Sequence, residues 1–181
     1  MSPFSLPTGR LAQGVAITVL TVMMVWFGTL ANQCVKDGPL RIVRLELAST
    51  VMSANHFLDT WKSAYPADWQ PRLQTAQYWD TWFICAYAPL FTLLCWLAAG
   101  HFAGRFPGLG SAGRVLAAGQ LVAGALDFLE NAAINKAIAR GVAETPWPLI
   151  GSTASGAKWT LIVAFLVFGL AAVGDWVVGK G

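Results

Sequence analysis

The chain has 181 residues, 56% of them hydrophobic and only 12% charged, with a mean hydropathy of +0.55 and a formal net charge of +3. A soluble domain of this size carries about twice that share of charge, so composition excludes an ordinary globular domain and points to an all-α, polytopic membrane protein. The twelve Lys and Arg are scattered rather than gathered into a basic stripe, which argues against nucleic acid as a partner.

A bilayer-spanning helix needs about 20 mainly apolar residues, and four segments qualify, at about 11–31, 78–102, 114–138 and 158–178. The first, LAQGVAITVLTVMMVWFGTLA, carries no charge and is expected to face lipid over much of its surface. Preceded by the single basic Arg10, it reads as a retained signal anchor, with cleavage after Ala31 as the alternative. The connection that follows, 32–77, is long enough to carry structure. Within it Leu40, Val43, Leu47, Val51, Ala54, Leu58 and Trp61 recur at steps of three and four. That periodicity predicts one amphipathic helix over about 39–63, flat on the membrane or folded over the mouth of a bundle. SAYPADWQPRLQ, with two prolines, then reads as a loop and a short turn.

The second span, YWDTWFICAYAPLFTLLCWLAAGHF, places Trp79, Trp82 and Trp96 near its ends, as interfacial aromatic belts do, and Pro89 is the expected kink. Cys85 and Cys95 fall inside it and are expected to pack as small hydrophobes; with Cys34 they form no CxxC pair. RFPGLGSAG reads as a tight loop into the third span. Lys158 and Trp159 open the fourth, which stays apolar as far as Asp175. The short later connections favour an antiparallel four-helix bundle forming one domain over 1–181.

The third span interrupts its own apolar run with Asp127, Glu130 and Asn131, which spacings of three and four place on one helical face. A charged group at bilayer depth costs roughly 2.5 to 3.5 kcal/mol on insertion scales, so a partner or a ligand must offset it. If successive spans alternate in direction, the start of the second, the end of the third and the start of the fourth meet at one membrane face. Asp80, Tyr87, Gln120 and Lys158 then converge on the stripe. Lys158 is the expected partner of Glu130 or Asp80, and Tyr87, Asn131 or Gln120 the expected support of Asp127, with Asp80 and Lys158 near the mouth. Glu46, with His56 and Asp59, is placed to cover the site. Along the third span Gly113, Ala117, Gln120, Gly124, Asp127 and Asn131 form a face that is small at one end and polar at the other, suited to close packing beneath a cavity.

Plainer readings exist for each group. Asp80 suits a helix N-cap, Lys158 suits snorkelling to the interface, and the acids suit a buried network that fixes helix register. Two histidines, His56 and His101, do not make a metal set, so neither metal nor cofactor is expected.

Taken together, LELA (Leu45–Ala48), Trp61, DTWFICAYAPL (Asp80–Leu90), DFLEN (Asp127–Asn131) and Lys158 resemble the pattern of small bacterial four-helix membrane proteins to which no activity is attached. The resemblance spans about Leu45 to Lys158 in short motifs. It implies a bacterial inner-membrane location and joint action of Glu46, Asp80, Tyr87, Asp127, Glu130, Asn131 and Lys158. A weaker similarity, of architecture alone, links the chain to four-helix sterol-isomerase and sigma-2-like proteins.

Four functions fit these residues. The first is binding of an amphiphile of lipid, isoprenoid or quinone type, with Glu46, Asp80, Tyr87, Gln120, Asp127, Glu130, Asn131 and Lys158 holding its polar head. The second is a membrane isomerase or hydrolase with Asp127 and Glu130 as candidate catalytic acid and base. The third is an accessory subunit, or a homo-oligomer, that pairs through the stripe. The fourth is proton or ion transport. Lys36, Arg41, Arg44, Lys62, Arg72, Lys136 and Arg140 lie towards the mouth, against Arg10, Arg105, Arg114 and Lys180 at the other face, so the mouth is expected in the cytoplasm.

Overall fold

The computed structural model describes residues 9–34 and 39–178. Among them are six α-helices and no strand: α1 (Arg10–Gln33), α2 (Pro39–Glu46), α3 (Val51–Ala64), α4 (Trp69–Ala103), α5 (Pro107–Arg140) and α6 (Trp147–Val178). By length and apolarity α1, α4, α5 and α6 can each cross a membrane, which makes this a multi-pass membrane protein. Lys36 and Lys180, used in the orientation count, lie outside the described residues.

The helices extend well beyond the apolar segments. RFPGLGSAG is expected as a loop, yet α5 already starts at Pro107, and WPLIGSTASGA forms the first turns of α6. Likewise α4 starts at Trp69, inside the segment read as loop and turn. Proline explains all three: Pro107, Pro148 and Pro71 lie in first turns, where a missing N–H leaves no bond unmade. At about 52 Å, the 35 residues of α4 exceed a hydrocarbon core of about 30 Å. The helix runs through Pro89 unbroken.

The single helix expected over 39–63 is two. It breaks after Glu46, and Thr50 starts α3 afresh by a reciprocal cap: Thr50 Oγ1 accepts from the Ser53 backbone N–H at 3.1 Å, and the Thr50 N–H donates to Ser53 Oγ at 3.3 Å. Leu45, Ala48, Leu58 and Trp61 then pack in one cluster with Leu73 and Ala76 of α4 and with Ile134 and Ile138 of α5. Asn55 ties α3 to the turn after α5, donating to the Ala143 carbonyl at 3.1 Å and accepting from its N–H at 2.7 Å. That turn is made by Gly141, whose φ of 70° suits a residue without Cβ.

Small residues set the spacing of α4, α5 and α6. A Cβ on Gly124 would sit 2.8 Å from the Cβ of Ala88, and one on Gly113 would meet the Phe168 ring at 2.5 Å and Ala99 at 2.8 Å. The α5 face of Gly113, Ala117, Gln120, Gly124, Asp127 and Asn131 is buried throughout. By contrast α1 buries only Ala31 and leans on α4, with Phe27 against Trp79 and Trp82 at ring separations of 6.0 and 6.1 Å. Its outward face, including Leu11, Val15, Val19, Val22 and Trp26, is exposed and apolar. Cys95 packs inside as expected, whereas Cys85 points outward from α4.

Candidate functional site

Three helices deliver the buried polar groups to one level. Asp80 lies about 16 Å along α4 from its start, Lys158 about 16 Å along α6, and Glu130 about 15 Å from the end of α5. Asp80 and Lys158 are thus not near the helix ends, as expected from the apolar segments, because the first turns of α4 and α6 precede them. The N-cap role for Asp80 fails for the same reason: α4 starts about three turns earlier.

Lys158 is the hub. Its Nζ donates to Asp127 Oδ1 at 2.8 Å, lies 2.9 Å from Glu130 Oε2 and reaches Glu46 Oε2 at 3.4 Å. Only 4% of its side chain is accessible, so it does not snorkel. The Tyr87 hydroxyl donates to Asp127 Oδ2 at 2.8 Å, fixing the second oxygen of that carboxylate. Asn131 turns the other way, and its Nδ2 donates to Asp80 Oδ2 at 2.6 Å. Of the supports expected for Asp127, Tyr87 is present. Asn131 serves Asp80 instead, and Gln120 donates to the Leu161 carbonyl at 3.1 Å, bridging α5 to α6 away from the acids.

Glu46 reaches the cluster from α2; His56 and Asp59 do not. Both are exposed on α3, where Asp59 pairs with Lys62 at 3.0 Å and His56 lies edge-on to Phe57. At the other end of the molecule Asp175 pairs with His101 at 2.9 Å and Arg105 at 3.3 Å, which leaves that end separately neutralised.

Three carboxylates therefore share one ammonium, and a fourth, Asp80, is held beside them by the Asn131 amide. The ammonium's two shortest contacts go to Asp127 and Glu130, the most enclosed acids, whose side chains are 7% and 0% accessible. The Glu130 ion pair lacks hydrogen-bond direction, and both Glu130 oxygens have no hydrogen-bond partner. Unpartnered buried oxygens also occur on Gln77, Gln120 and Ser155. Such groups are costly in an apolar interior and mark places where the protein's own bonding is incomplete.

Beside the cluster is a cavity of about 160 Å³, lined by Gly28, Ala31 and Asn32 of α1, Val43 and Glu46 of α2, and Asp80 and Phe83 of α4. It faces the two acids that Lys158 serves least. Asp127 and Glu130 do not line it. Glu46 also borders a second, apolar space of about 20 Å³ between α2, α3, α5 and α6, room for a single water. Sequence reasoning did not assign Gly28, Asn32 or Phe83 to a site; Gly28 and Asn32 gave a faint signal near the end of an otherwise apolar helix, and Phe83 stands within the DTWFICAYAPL motif without a role of its own.

Among the described residues no group of three or more His, Cys, Asp or Glu is placed to hold a metal ion. Compared with protein families, curated proteins and solved structures, the chain has no match.

Proposed function

We propose that this is a membrane protein that binds a small amphiphile, with the polar head in the cavity beside Glu46 and Asp80 and the tail between α1 and the lipid. The cavity carries the reading, because it places two acids, an amide and the apolar walls of Gly28, Ala31 and Phe83 around one volume. Its size decides how much of a ligand fits. Pockets for whole drug-sized ligands measure about 300–1,000 Å³, whereas about 160 Å³ suits a headgroup alone. A weakly buried α1 along one wall leaves the tail a lateral way out.

The reading includes an antiparallel arrangement of α1, α4, α5 and α6. Paired positions support it: Asp80 with Asn131, Tyr87 with Asp127, Ala88 beside Gly124 and Ala99 beside Gly113 fall in α5 as they rise in α4. It also includes α2 and α3 as an amphipathic cover over the mouth, supported by the Glu46–Lys158 contact and the cluster around Leu58 and Trp61. The surrounding membrane is the bacterial inner membrane, with the mouth towards the cytoplasm, on the motif resemblance and the Lys and Arg count.

Enzymic use of Asp127 and Glu130 receives less support, since these acids are packed against Lys158 and away from the cavity. The test is a plug that leaves every polar group in place. Gly28 lines the cavity, and a Cβ there would stand 3.4 Å from the Phe83 ring, so a leucine extends into the volume. Native mass spectrometry with lipid extraction should find a discrete amphiphile on the wild type and none on Gly28→Leu. Equal retention by both proteins would sink the assignment.

A further inference from the structure

We infer that the amphiphile's head is a cation, an amine or a quaternary ammonium, completing the charge of Glu46 and Asp80; this rests on the binding reading above. Four carboxyl groups converge, and among the described residues Lys158 is the only cation in contact with any of them. Its two short contacts, 2.8 and 2.9 Å, are spent on Asp127 and Glu130. Glu46 is left at 3.4 Å, and among the described residues Asp80 is bonded to the neutral amide of Asn131 at 2.6 Å. These two under-neutralised acids are the two that line the cavity. Glu130, fully enclosed, directs Oε2 at the same ammonium while Oε1 has no partner, so among the described residues no further cation is at hand to neutralise the cluster.

The alternatives fail on charge. A phosphate or carboxylate head would add a like charge to Glu46 and Asp80 in a region of low dielectric, where such repulsion is strong. A hydroxyl or quinone head would hydrogen-bond and leave the surplus untouched. An ammonium supplies charge-assisted bonds to both carboxylates while its carbons meet Gly28, Ala31 and Phe83.

Protein in a non-ionic detergent is titrated in native mass spectrometry with hexadecylamine, hexadecanol, palmitate and the short soluble butylamine. Hexadecylamine should bind at least about tenfold more tightly than hexadecanol, the scale of one charge-assisted bond, and palmitate should not bind. Glu46→Gln with Asp80→Asn should abolish the preference, so that within the variant the amine binds no more tightly than hexadecanol. Should the double variant not purify, Glu46→Gln alone, on the short α2, carries the same expectation. Equal binding of amine and alcohol, both lost in Gly28→Leu, would overturn the cationic head and leave the cavity reading standing. Butylamine matching hexadecylamine would overturn the amphiphile. Binding of no probe, or binding indifferent to Gly28→Leu, would overturn both.

Discussion

Lys158 holds three carboxylates within 3.4 Å of its ammonium, and no other cation reaches them among the described residues. Removing one member of a buried ion pair leaves the other charge uncompensated, at a cost of about 3–5 kcal/mol. Lys158→Met should lose about that much stability in detergent unfolding, and adding Asp127→Asn should recover part of it. The exposed pair Arg140–Glu144 makes a control, since Glu144→Gln should change stability by less than about 1 kcal/mol. If Lys158→Met unfolds with the wild type, the cluster does not hold the bundle together. The acids and Lys158 were legible as residues because charge inside an apolar run is conspicuous. Their pairing was legible in part: depth along the helices brings Lys158 to Glu130 and Tyr87 to Asp127, but side-chain direction sends Asn131 to Asp80 and Gln120 to Leu161.

At the level of helices, contact between α4, α5 and α6 rests on glycine. Gly113→Val should force the Phe168 ring and Ala99 apart and cost about 1–3 kcal/mol, measured as a lower melting temperature. Gly100, with nothing within 4 Å of a built Cβ, predicts the reverse: Gly100→Ala should be neutral or stabilise by about 0.5–1 kcal/mol. Equal effects of the two would mean that α5 does not pack closely at Gly113. The four long helices could be read from hydropathy, but their ends could not, because an apolar window finds the part that crosses lipid. The turns beyond it are built from small and polar residues, as in GSTASGA before Lys158. The break at Ser49 and Thr50 was hidden by an unbroken three-and-four periodicity; its signal is a Thr able to cap three residues ahead.

For the whole molecule, the proposed bundle puts the loops before α4 and after α5 on one side of the membrane and the turn between α4 and α5 on the other. In a background with Cys34, Cys85 and Cys95 replaced, an impermeant maleimide applied to inverted inner-membrane vesicles should label Asp59→Cys and Glu144→Cys but not Gly104→Cys. Right-side-out vesicles should give the opposite pattern. Labelling of Gly104→Cys together with Glu144→Cys would contradict the arrangement. The volume beside Glu46 and Asp80 is proposed to hold a ligand rather than to close on itself. A structure of the protein in native lipid, at a resolution that shows side chains, decides between the two. The expected result is non-protein density touching both carboxylates and passing Gly28 towards α1; a cavity closed by the approach of α1 and Phe83, with Glu46 and Asp80 bonded only to protein, would contradict it.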